Sequence, residues 1–91
     1  MKTNEILTVE QIKDLQELGV TISPEAHVSL SEVIGLILSK GCSIKLELCD
    51  EGFFAESGYG WCISESVTGV VHALLCLLIK GDKINPEEVI F

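Results

Sequence analysis

The stretch Val67-Thr68-Gly69-Val70-Val71-His72-Ala73-Leu74-Leu75-Cys76-Leu77-Leu78-Ile79 decides how this chain folds. Val67, Val70, Val71, Leu74, Leu75, Leu77 and Leu78 make an apolar stripe wider than a surface helix uses, so the segment reads as a helix at the centre of a core. It falls short of the roughly 20 apolar residues that a bilayer span requires, and Thr68 and His72 interrupt it. Ser64 or Ser66 supplies a cap at its start, Glu65 suits the positive end of its dipole, and Gly81 closes it. Gly69 costs roughly 1 kcal/mol against Ala inside a helix, which predicts close approach of another backbone at that point.

Upstream lie the elements that would wrap this rod. Thr8 and Gln11 have the spacing of a capping box, with Leu7 and Ile12 placed as a hydrophobic staple. Val9, Ile12, Leu15 and Leu18 then form the apolar side of a first helix that stops at Gly19. A second helix repeats the signature with Ser29 and Glu32 as cap, Val28 and Val33 as staple, an apolar face of Leu30, Val33, Ile34, Ile37 and Leu38, and an end at Lys40-Gly41. Between the two runs the polar connector Thr21 to His27, where Ser23-Pro24 favours a turn or extended backbone.

From Ser43 the apolar period changes to 2. Ile44, Leu46 and Leu48 share one face and Ser43, Lys45, Glu47 and Cys49 the other, as in a half-buried strand. Asp50-Glu51-Gly52 provides turn chemistry, returning Phe53 to Ser57 as a second, antiparallel strand. Tyr59, Trp61 and Ile63 fall on one face of a short third strand. Beyond the long helix, Asn85-Pro86-Glu87-Glu88 predicts one helical turn before Val89-Ile90-Phe91. The expected fold is α+β: two N-terminal amphipathic helices, a small antiparallel sheet of two or three strands covered on one face, then a long buried helix, all in one domain over residues 1–91.

Composition agrees with one small core. A chain of 91 residues buries about 60 to 70% of its unfolded surface. Aromatic residues are few, so Leu, Ile and Val must supply most of the interior. The formal charge of −8, with no Arg and with Lys2, Lys13, Lys40, Lys45, Lys80 and Lys83 dispersed, opposes direct nucleic-acid and anionic-membrane binding. The polar opening Met1 to Glu5 lacks the apolar run of a targeting segment, so a cytoplasmic location is expected. Cys42, Cys49, Cys62 and Cys76 show no C-x-x-C spacing and read as reduced, small hydrophobes.

No recognisable catalytic, cofactor or metal signature stands out. His72 and Cys76, four apart on the long helix, could provide two ligands on one face, yet a zinc site needs three or four, and His27 lies in a polar connector. Glu47, Asp50, Glu51, Glu56 and Glu65 gather around the sheet with Lys45 as their basic neighbour; such acids can share a proton, hold a hard cation or face a basic partner. The simplest reading is the solvated face of a one-sided sheet. Gly58-Tyr59-Gly60 lacks the spacing of a phosphate loop. Tyr59 and Trp61, with Phe53 and Phe54, either anchor a partner or, as a chain poor in aromatics favours, fill the space between sheet and helix. A surplus apolar face on the long helix or at Val89-Ile90-Phe91 would be covered by a second copy, so a homodimer is expected.

Three blocks together, Leu7 to Val20, Ser29 to Lys40 and Glu65 to Ile84, resemble short uncharacterised proteins of phages and mobile elements in Bacteroides-type gut bacteria. The resemblance implies a bacterial cytoplasmic protein without assigned activity, and it carries over no catalytic residue. The longer, aromatic-rich insert associated with that family between the first two helices is missing here. The functional expectation is a non-enzymatic accessory or regulatory protein acting through protein contacts, with Glu47, Asp50, Glu51, Glu56, Tyr59 and Trp61 as the interaction surface. Its alternatives are an acidic decoy of a nucleic-acid-binding protein and a small metal-binding or enzymatic domain.

Overall fold

The structure, a computed structural model, describes residues 6–91; the polar opening Met1 to Glu5, read above against a targeting segment, lies outside the described residues. Helix α1 runs Val9–Glu17, α2 Leu30–Ser39 and α3 Val67–Lys80, with strands β1 Lys45–Cys49, β2 Gly52–Ser57 and β3 Gly60–Ser64 between α2 and α3. The strands form an antiparallel meander in the order β1-β2-β3. The fold is thus α+β, in the order that the hydrophobic periods predict. No helix among the described residues is long and apolar enough to cross a membrane.

Local chemistry sets the helix ends. Thr8 and Gln11 form the full capping box, each side chain bonding the other's backbone N–H. At Ser29 half of the box is made: the Ser29 hydroxyl accepts from the Glu32 N–H at 3.1 Å, while the Glu32 carboxylate bonds that hydroxyl instead of the Ser29 backbone. All three helices stop in the same double hydrogen bond. The N–H groups of Gly19 and Val20 return to the carbonyls of Gln16 and Leu15, those of Gly41 and Cys42 to Leu38 and Ile37, and those of Asp82 and Lys83 to Ile79 and Leu78. Gly19 and Gly41 have φ of 102° and 81° as this closure requires. In α3 the left-handed position is Asp82, at φ 61°, and the expected Gly81 is an ordinary cap at φ −86°.

Helix α3 is the centre of the core. Val70, Val71, Leu74, Leu75 and Leu78 are fully buried, surrounded by Leu15 of α1, Val33 and Ile37 of α2, and Val28, Ile84 and Val89 of the connecting segments. The chain end is tied down by a parallel bridge: Thr21 N–H donates to Val89 O, Phe91 N–H to Thr21 O and Ser23 N–H to Phe91 O. This buries Val89 and packs Phe91 against the core, while Ile90 stays exposed. Two apolar stripes are narrower than the periodicity suggests, because Val9 and Leu38 lie on the solvent side of their helices. At Gly69 the close neighbours are the Ser64 and Ser66 hydroxyls, 2.5 and 2.8 Å from where a Cβ would stand, not another backbone.

The sheet is covered on one face only, and the small residues occupy that face. Register places Leu46, Ala55 and Cys62 in one row, Leu48, Phe53 and Ser64 in the next, and Ser57 with Gly60 in a third. Ala55 and Ser57 are buried, and a Cβ at Gly60 would lie 2.9 Å from Leu77 Cδ2. Small side chains here let α3, which packs across β2 and β3, seat its leucines against the strands. Strand β1 extends beyond this cover. Leu46 is 42% and Leu48 78% exposed, so β1 is not the half-buried strand that its alternation suggests.

Candidate functional site

The opposite face of the sheet carries Phe54 and Trp61. Antiparallel pairing sets Lys45, Glu56 and Trp61 in one row and Glu47, Phe54 and Ile63 in the next. Phe54 and Trp61, diagonal neighbours on β2 and β3, stack with ring centroids 5.9 Å apart and planes inclined at 28°. Trp61 nevertheless remains 59% exposed, and Ile63 is also exposed. These side chains therefore do not fill the sheet-to-helix space; of the four aromatics from that region, Phe53 packs against the core. The parity of β2 and β3 explains the inversion: Ala55, Ser57, Gly60 and Cys62 alternate with Phe54, Glu56 and Trp61, and α3 can approach only the smaller set.

The predicted surface residues divide into three groups. Glu47, Glu56 and Trp61 share the open face, where Lys45 Nζ bonds Glu47 Oε1 at 3.0 Å. That hydrogen bond, then the Glu47 and Glu56 charges, hold the Lys45 ammonium above its ordinary pKa. Asp50 and Glu51 form the β1–β2 turn at one end of the sheet, and Glu65 follows β3 at that same end. Tyr59 stands at the opposite end in the β2–β3 turn, with Lys83 Nζ 4.6 Å from its ring centroid. The open face also holds the exposed Ile63 and the half-buried Phe54, which the small–large alternation of β2 and β3 signals.

The other arrangement of chemical interest is His72 with Cys76. They border an open groove of about 660 Å³ that Asp14, Cys62 and Lys80 also line. His72 Nε2 lies 3.1 Å from Gln11 O, 3.5 Å from Cys76 Sγ and 3.9 Å from Asp14 Oδ2. A carbonyl oxygen can only accept, so this nitrogen carries the proton and donates it to Gln11. It therefore cannot take a proton from Cys76 in the same geometry. Burial pushes the His72 pKa down against the opposing pull of Asp14 and the Gln11 carbonyl. Burial likewise pushes the thiols of Cys76 and Cys62 up. A nucleophilic Cys–His pair needs the reverse polarity, thiolate beside imidazolium. Here a neutral imidazole fastens the first turn of α1 to the middle of α3.

Among the described residues, no three His, Cys, Asp or Glu side chains converge as ligands for a metal ion, and His27 is exposed in its connector. The four cysteines are free thiols, with Cys42 buried and the others partly so. Comparison with models of protein families, with curated proteins and with solved structures finds no match.

Proposed function

We propose that this chain is a cytoplasmic, non-enzymatic accessory or regulatory protein that works by binding another protein through the open face of its sheet. The observation that carries the reading is Trp61, exposed beside the exposed Ile63 and stacked on the half-buried Phe54. Exposed aromatic side chains on a fixed scaffold lose little conformational entropy on binding and are favoured anchors at interfaces. Glu47 and Glu56 lie in the same rows, and with Asp50 and Glu51 at one end they favour a partner with an apolar centre and a basic rim. A phosphate mimic would instead present spaced carboxylates; here Lys45 and the aromatic pair break that array.

The test is selection from a displayed library of small domains and peptides against the immobilised protein. Binders are expected to lose affinity for Trp61→Ala and Glu56→Lys, to keep it for the control Val9→Ala, and to weaken with added salt. Binders indifferent to Trp61→Ala would remove the open face as the contact surface.

A further inference from the structure

We infer that β1 is the edge at which a second copy of this chain adds, antiparallel, with the two-fold axis through Leu46, making one continuous sheet of twice the width. Strand β1 ends the sheet, so among the described residues its outer backbone groups have no neighbouring strand. Its helix-side residues Leu46 and Leu48 are exposed, and with Phe53 and Val67 they line an open groove. The other edge, β3, offers no such gain because its helix-side residues Gly60 and Cys62 already lie under α3.

Symmetry and charge select the occupant. A two-fold axis perpendicular to a sheet must pass through a residue that faces its own copy, since any other register sets one face against the other. An axis at Lys45 opposes Lys45 to itself, and an axis at Glu47 opposes Glu47 to itself. With the axis at Leu46, each Lys45 faces Glu47 of the other copy, Leu46 meets Leu46, and each Leu48 meets Ile44. Of the registers centred on Lys45, Leu46 or Glu47, the one centred on Leu46 alone sets unlike charges opposite each other. Lysine on an edge strand ordinarily discourages pairing; in this register its charge is met on both sides of the junction. Trp61 and Glu56 remain uncovered in the pair and Glu47 belongs to both surfaces; since Trp61→Ala and Glu56→Lys leave β1 unchanged, each reading can fail without the other.

The experiment measures solution mass by light scattering or sedimentation at matched concentrations. Wild type is expected at twice the chain mass, while Lys45→Glu and Glu47→Lys alone are each expected as monomers, with dissociation constants raised by about tenfold or more. An equimolar mixture of the two variants is expected to restore the dimer, because the paired acids on β1 of the Lys45→Glu chain then face the paired lysines on β1 of the Glu47→Lys chain. Leu48→Lys, at a side chain exposed in the single copy, provides a second monomer that does not depend on charge reversal. A monomeric wild type, single reversals that stay dimeric through β3 or a helix, or a mixture that stays monomeric would each overturn the proposal.

Discussion

Gly60 of β3 lies directly beneath Leu77 of α3, so close that a Cβ at Gly60 would stand 2.9 Å from one Leu77 methyl and 3.1 Å from the other. The contact joins the strand with the small residues to the helix that fills the core. Gly60→Ala should therefore cost about 1 kcal/mol, at the low end of overpacking because a leucine tip can rotate. In a Leu77→Ala background the same change should be neutral or favourable. A double-mutant cycle by urea unfolding checks this, with a coupling of about 1 kcal/mol expected.

At Gly52 the obstruction is backbone and the penalty should be larger. Its φ is 132°, and an added Cβ would overlap the Ser64 carbonyl oxygen while lying 3.2 Å from Glu65 Cα. Neither neighbour can rotate away. Gly52→Ala is expected to destabilise by about 2 to 4 kcal/mol, read as a shift in the urea midpoint.

Ser57 offers a gain. Its hydroxyl is buried on the helix side of β2 without a hydrogen-bond partner among the described residues. Deleting the unsatisfied hydroxyl, which leaves the Cβ as a methyl group, removes a desolvation cost at the loss of one small atom, so Ser57→Ala should stabilise the chain by about 1 kcal/mol. Thermal unfolding followed by circular dichroism is the measurement.

His72 should make stability fall in acid. Burial, outweighing Asp14 and the Gln11 carbonyl, lowers its pKa in the folded chain below the ordinary 6.5. The unfolded chain then binds the proton more readily, so the contribution of neutral His72 is complete above pH 6.5 and is lost as pH falls toward its folded pKa. The difference in unfolding free energy between wild type and His72→Gln should shrink on going from pH 7.5 to pH 5. A difference independent of pH would contradict the neutral imidazole.

Much of this architecture is legible in the sequence because local chemistry sets it. Thr8, Ser29 and Ser66 cap the three helices, Gly19 and Gly41 end the first two, and the change of period at Ser43 marks the sheet. Aspartate tolerates the left-handed backbone less readily than glycine, which made Gly81 the natural choice over Asp82 for the end of α3. The faces of the sheet were harder to assign. Hydrophobicity alone sends Trp61 and Phe54 inward, whereas the volume needed by the leucines of α3 sends Ala55, Ser57, Gly60 and Cys62 inward instead. Alternation in β1 likewise marks a strand without revealing that α3 stops short of covering Leu46 and Leu48, which depends on sheet width.

Trp61 is the chain's one tryptophan and reports on the open face without any mutation. Steady-state emission and acrylamide quenching of the free protein should resemble those of a tryptophan derivative in water, at low and high protein concentration alike. Emission shifted to the blue and shielded from quencher in the free protein, then released by urea, would place Trp61 under the helices and contradict the outward aromatic face.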